Sequence, residues 1–140
     1  MRAVADSSFV IAIENDEQHN REECRTAYDQ CGKIYLPQST LNEVAYFLTR
    51  EGGNRATTTF LKRLPETKYM LECLLPEDLS RITELLEKYS DTRLDFVDAS
   101  VAAVAERLNI TTVLTLDRRD FSLIRPKHVD YFAVPPSDSA

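Results

Sequence analysis

Carboxylates stand inside or at the ends of apolar runs at four well-separated places in this chain. The stretches are Val4-Ala5-Asp6-Ser7, Leu41-Asn42-Glu43-Val44, Leu94-Asp95-Phe96-Val97-Asp98-Ala99 and Leu114-Thr115-Leu116-Asp117. An unpaired charge in such a setting is costly to bury. Folding therefore has to gather these groups where their charge is compensated, and crowded carboxylates repel one another unless a cation joins them. The pattern predicts one pocket holding a divalent ion. With oxygen donors, the expected ions are magnesium or manganese.

The segments between these stretches set the fold. Ala3–Asp6, Lys33–Pro37, Tyr69–Leu75, Thr111–Leu116 and Val129–Val134 read as strands, being short, apolar and rich in β-formers. Between them lie helical patterns. One begins at Ser7, and an amphipathic one runs from Glu17 to Gln30, closed by Gly32. A third, capped by Ser39 or Thr40, runs to Gly52-Gly53, and a fourth covers about Asn54 to Leu64. A helix starts at Pro76 with Leu79, Ile82, Leu85, Leu86 and Tyr89 at helical spacing, and the last spans about Phe96 to Leu108. Alternating strands and helices predict an α/β fold with a mainly parallel sheet and helices on both faces. Ligands in such folds sit at the carboxyl ends of the strands, where Asp6 and Asp117 fall.

With 140 residues the chain is one domain, read as residues 1–134 with a flexible tail at 135–140. No run approaches the roughly 18 apolar residues of a membrane span. The first apolar stretch stops at Asp6, unlike a signal peptide, so a cytoplasmic protein is expected. Cys24, Cys31 and Cys73 lack Cys-x-x-Cys spacing, which argues against a disulfide framework or zinc site. Cys24 and Cys31, seven apart, share a helix face and are expected to be buried. His19 and His128 are the only histidines and read as surface or loop residues, which weakens any Ser-His-Asp chemistry. The net charge of -6 argues against a general nucleic-acid binder. It leaves room for a nuclease, whose acidic site a metal would neutralise. Basic residues gather near Arg50 to Lys68 and at Arg118, Arg119, Arg125 and Lys127, either as solvated faces or as a phosphate-contacting rim.

Each carboxylate has a structural reading beside the functional one. Asp6 is either a metal ligand or the N-cap of the following helix, with Ser7 as a supporting donor. Glu43 is a ligand, or closes a capping box with Thr40. Asp95 reads as an N-cap and Asp98, three residues on, as the ligand in the first helical turn. Asp117 ends a strand as ligand or turn residue, and Thr115, two back, shares its face. Asp120 is a secondary candidate that pairs equally well with an arginine. Paired divalent ions about 3.5–4 Å apart activate water and stabilise the leaving oxygen of a phosphodiester, with no histidine required.

These residues together resemble the PIN-domain family, and more narrowly its VapC toxins. The matching signatures are Ala5-Asp6-Ser7-Ser8-Phe9-Val10, Thr40-Leu41-Asn42-Glu43-Val44, Leu94-Asp95-Phe96-Val97-Asp98-Ala99-Ser100-Val101 and Leu114-Thr115-Leu116-Asp117-Arg118-Arg119-Asp120-Phe121. The resemblance implies a three-layer α/β/α sandwich and a Mg2+- or Mn2+-dependent endoribonuclease. It matches Asp6, Glu43, Asp98 and Asp117 to the acidic quartet, beside which the residues themselves offer Ser7, Asp95, Thr115 and Asp120 as supporting groups. Arg118 and Arg119 are the expected RNA contacts. The resemblance also implies an RNA substrate, a VapB-like antitoxin, and a homodimer or higher toxin–antitoxin assembly, away from any membrane. A non-catalytic PIN-like module and a PIN ribonuclease of RNA processing or decay are the alternatives. A phosphoryl-transfer enzyme fits less well, since no second Asp follows two residues after Asp6.

Overall fold

The computed structural model describes residues 1–15 and 19–136. Its elements, in chain order, are β1 (Arg2–Ala5), α1 (Ser7–Glu14), α2 (Arg21–Gln30), β2 (Lys33–Pro37) and α3 (Gln38–Arg63). A 3-10 turn at Leu64–Glu66 leads to β3 (Tyr69–Glu72), α4 (Pro76–Lys88), α5 (Phe96–Arg107), β4 (Val113–Leu114) and α6 (Arg118–Leu123). The strands form one parallel sheet in the order β3-β2-β1-β4.

Alternation along the strands divides the core. Ala3 and Ala5 of β1, Ile34 and Leu36 of β2 and Leu114 of β4 pack with Phe9, Val10, Cys24, Val44 and Phe60 on one face. Val4 and Val113 face the other way, onto Ile82, Leu85, Val101, Val104, Phe121 and Ile124. Residues one apart on a strand point to opposite sides, so the two clusters are the two faces of one sheet. The result is the expected three-layer α/β/α sandwich. Helix α5 is buried continuously from Ala99 to Ala105, and its alanines let it lie close against β1 and α4.

Several expected boundaries move. The helix from Ser39 or Thr40 and the one from Asn54 are both inside α3, which kinks where Gly53 adopts φ 72°. That left-handed backbone suits glycine. Pro37, not Ser39 or Thr40, holds the N-cap position of α3, and no side chain caps it. The Tyr69–Leu75 run is a strand only to Glu72, because its partner β2 ends at Pro37, opposite Glu72. The regular part of β4 shrinks to two residues, and the expected Val129–Val134 strand is a single bridge, Thr112 to Ala133. Backbone bonds Val113 N–H to Ala133 O and Thr115 N–H to Pro135 O still lace the segments together. Pro135 and Pro136, expected to open a flexible tail, are thus engaged: the Pro136 carbonyl also accepts from Arg118. Residues 137–140 lie outside the described part, as does the Glu17 at which α2 was expected to start. Cys24 and Cys31 are buried and Cys73 exposed, all as free thiols. His19 is exposed, and His128 is half-buried with its ring bonded to the Ile110 carbonyl. No described helix is long and apolar enough to cross a membrane.

Candidate metal centre

The sheet order places the site. β1 lies between β2 and β4, so chain leaving β1 and β4 opens at one crevice at their carboxyl ends. Asp6 is the first residue after β1, and its N–H bonds the Leu114 carbonyl of β4 at 2.9 Å. Asp117 follows three residues later on the β4 side. Two carboxylates 111 positions apart in sequence thereby become neighbours.

Asp98 arrives from the start of α5. Asp95 caps that helix by accepting from the Asp98 N–H at 3.0 Å, while Asp98 accepts from the Asp95 N–H at 3.2 Å. This is a reciprocal capping box. A carboxylate has two oxygens with several lone pairs, so the box does not exhaust Asp98. One oxygen each from Asp6, Asp98 and Asp117 lies within 4.8 Å of the others.

Asp6 is only 2% exposed. It occupies the N-cap position of α1 but makes no side-chain cap bond there. Instead its Oδ2 accepts from the Thr115 hydroxyl at 2.9 Å and the Ser8 hydroxyl at 3.0 Å. Each hydroxyl in turn accepts a backbone N–H, Asp117's for Thr115 at 2.8 Å and Leu116's for Ser8 at 2.9 Å. The two side chains pass the polarity of the β4 terminus on to Asp6 and fix one of its oxygens. Ser8 escaped the sequence reading as a site residue, although it stands in the Asp6-Ser7-Ser8 signature.

Glu43 resolves its two readings. Thr40 is buried and donates to the Ala5 carbonyl at 3.2 Å, so it forms no capping box. Glu43 accepts from Ser7 at 2.6 Å and faces the crevice. The starts of α3 and α5 are tied together by Ser39 and Ser100, 2.6 Å apart, with Ser100 donating to the Val97 carbonyl. That link fixes the two helices that carry Glu43 and Asp98. Glu43 stands outside the tight triad but lines the same cleft of about 310 Å³ with Asp6, Asp98 and Asp117. Asp95 and Asp120 line it as well.

Electrostatics follow from the crowding. Burial raises the Asp6 carboxyl to about 6, the nearby Asp117 charge adds to this, and the Thr115 and Ser8 hydroxyls oppose it. Burial also raises Asp98, to about 8, and the charges of Asp95 and Asp6 push the same way. The donor set is all oxygen, mainly carboxylate, converging from three elements. That chemistry fits a hard divalent cation.

The cationic rim differs from the expected one. Arg118 directs its guanidinium to the Pro136 carbonyl, and neither Arg118 nor Arg119 lines the cleft. Arg93 does, paired with Asp120 at 3.3 Å. Asp120 thus takes the arginine-pairing alternative.

A model of the PIN domain matches residues 3–125. The chain belongs to the PIN-domain family. Ribonuclease VapC26 of Mycobacterium tuberculosis is 31% identical over 94 residues, which cover 67% of this chain and 70% of the relative. Among solved structures, Mycobacterium tuberculosis VapC20, a sarcin–ricin loop cleaving toxin, superposes with a TM-score of 0.71 at 20% identity. It covers 79% of this chain and 86% of its own. VapBC2 of Rickettsia felis, solved with a DNA fragment from its promoter, gives 0.68 at 14% identity over 96% and 97% of the two chains. At these identities the structures establish the PIN fold alone. The acidic cleft lies within the matched span, from Asp6 to Asp120.

Proposed function

We propose that this PIN domain is a divalent-metal-dependent endoribonuclease and the toxin of a toxin–antitoxin pair. The observation that carries the reading is the convergence of Asp6, Asp98 and Asp117, oxygen to oxygen within 4.8 Å, at the carboxyl edge of the sheet. Asp6, Asp98 and Asp117 would hold Mg2+ or Mn2+, with Glu43 lining the same cleft. When bound, such an ion supplies the Lewis acidity that activates water and stabilises the leaving oxygen of a phosphodiester. Thr115 and Ser8 orient Asp6, Ser7 orients Glu43, and Asp95 holds Asp98 in the first turn of its helix. Arg93 offers a positive charge to the RNA backbone at the rim.

The sequence relative, a VapC ribonuclease, supports RNA as the substrate. A VapB-like antitoxin as partner is supported by the similarity to VapBC2 and to a toxin–antitoxin complex of Klebsiella pneumoniae, the latter with a TM-score of 0.67 at 19% identity. The homodimer follows from the family resemblance. The test is RNA cleavage by purified protein with Mg2+ and with EDTA, alongside Asp98→Asn. Cleavage in Mg2+ that EDTA and the substitution both abolish is expected. Equal cleavage in EDTA, or by Asp98→Asn, overturns the reading.

A further inference from the structure

Beside the acidic cleft lies a second hollow of about 380 Å³, lined by Ser7, Ile11, Glu43, Tyr46, Phe47 and Arg50. Ser7 and Glu43 line both, so the two spaces adjoin. Glu43, Tyr46 and Arg50 follow one another at helical spacing along a single face of α3. Tyr46 is 70% exposed, unusual for a large aromatic ring next to a polar site. The Arg50 guanidinium lies 5.9 Å from the Tyr46 ring centre and 5.5 Å from that of Phe47. Its ion pair with Glu51 joins two side chains that are each more than half exposed, a contact worth little and readily exchanged.

We propose that this hollow receives an unpaired nucleobase adjoining the scissile phosphate, stacked on Tyr46, while Arg50 meets the phosphate of that nucleotide. The proposal rests on the ribonuclease reading and names what the reading lacks, a place for a base. Single-stranded RNA is held by aromatic faces and guanidinium planes on which bases stack, with positive charge following the backbone. Arg50 combines both roles in one position, since it is planar, charged and already laid over two rings. A chain with its backbone across the carboxylates passes Ser7 and Glu43, the two residues that the hollow shares with the cleft. Arg93 lines the acidic cleft and Arg50 the adjoining hollow, so each space has a cation in its lining.

The test uses a short single-stranded RNA carrying one 2-aminopurine, whose fluorescence is quenched by stacking. It is titrated into Asp98→Asn protein, so that binding is read without cleavage. Quenching is expected with Tyr46 intact and with Tyr46→Phe, which keeps the ring. Tyr46→Ala should weaken binding about 10-fold and remove the quench, and Arg50→Ala should flatten the dependence of affinity on salt. Because Tyr46 is exposed, its replacement leaves the core intact, and an unchanged melting curve verifies this. Equal binding by Tyr46→Ala overturns the proposal. So does a change from dimer to monomer on sedimentation with RNA affinity unaltered, which makes the face a contact between copies. Failure of the metal-dependent cleavage assay with the Tyr46-dependent quench retained counts against the ribonuclease reading and leaves the base site standing.

Discussion

Two aspartates, Asp6 and Asp78, are each 2% exposed, yet the protein treats them in opposite ways. Asp78 sits in the first turn of α4 and accepts from the Leu75 N–H at 2.8 Å. Arg107 reaches across from α5 and donates Nε to both Asp78 oxygens, at 3.0 and 3.1 Å. The same guanidinium continues to Glu72 at 3.0 Å and to the Cys73 carbonyl at 3.2 Å. Every side of that charge is answered from within the fold. Asp6 is met instead by two hydroxyls and by the carboxylates of Asp98 and Asp117. A buried acid with its own cation is a fastener between helices. One left among other acids is a binding group, and its raised proton affinity is the mark of that incompleteness.

Removing the cation from the fastener separates the two roles most sharply. Arg107→Met leaves Asp78 buried and unanswered, and loss of one partner of a buried pair typically costs about 3–5 kcal/mol. Urea unfolding should show a loss of about 3 kcal/mol, the lower end because the Leu75 N–H remains. RNA cleavage per folded molecule should stay near the parent value. A large fall in cleavage with stability unchanged would reverse the roles assigned to the two aspartates.

Asp6→Asn is the converse. Outer partners of metal ligands alone are worth about 10–100-fold, so losing a ligand should lower cleavage by more than about 100-fold. Stability in EDTA should hold or rise, because a buried charge crowded by other acids is gone. If Asp6→Asn unfolds the protein while Arg107→Met does not, the contrast between the two sites collapses.

Only the acidic-site side of this contrast was legible in the chain. Asp95 and Asp98 declare themselves by spacing, because the capping box is a local device set by three residues of helix geometry. Asp6 and Asp117 follow from strand ends, since a parallel sheet offers one edge for ligands. Glu43 was ambiguous for a physical reason: Thr-x-x-Glu is equally a cap and a coincidence, and only the packing of Thr40 against Ala5 decides. Ser8 and Arg93 were not singled out, because their roles depend on β4 and the α5 entrance arriving from far along the chain. The Val129–Val134 run has strand composition but only one bridge to Thr112, since β4 itself is too short to template a ladder. The Arg107–Asp78–Glu72 fastener left no local signature at all.

The smallest expected effect is in the pH dependence of stability, and it tests the same contrast without a substitution. Asp6 is raised from 3.8 to about 6 and Asp98 from 3.8 to about 8, burial being the main cause for both. In metal-free protein the folded state therefore holds more protons than the unfolded state across that interval. Stability contributed by these groups is then greatest near the low end and falls as pH rises toward about 8. A divalent ion competes with those protons, so its affinity climbs over the same range while it offsets the loss. Melting temperatures in EDTA should decline by a few degrees from the acid to the alkaline side, on the order expected for 1–2 kcal/mol in a domain of this size. With Mn2+ the curve should flatten, and the gain from metal should be larger above pH about 8 than below about 6. Asp6→Asn should shrink that gain, whereas Arg107→Met should lower both curves in parallel. A metal-induced gain that is the same at both ends of the range would mean that the ion does not meet Asp6 and Asp98.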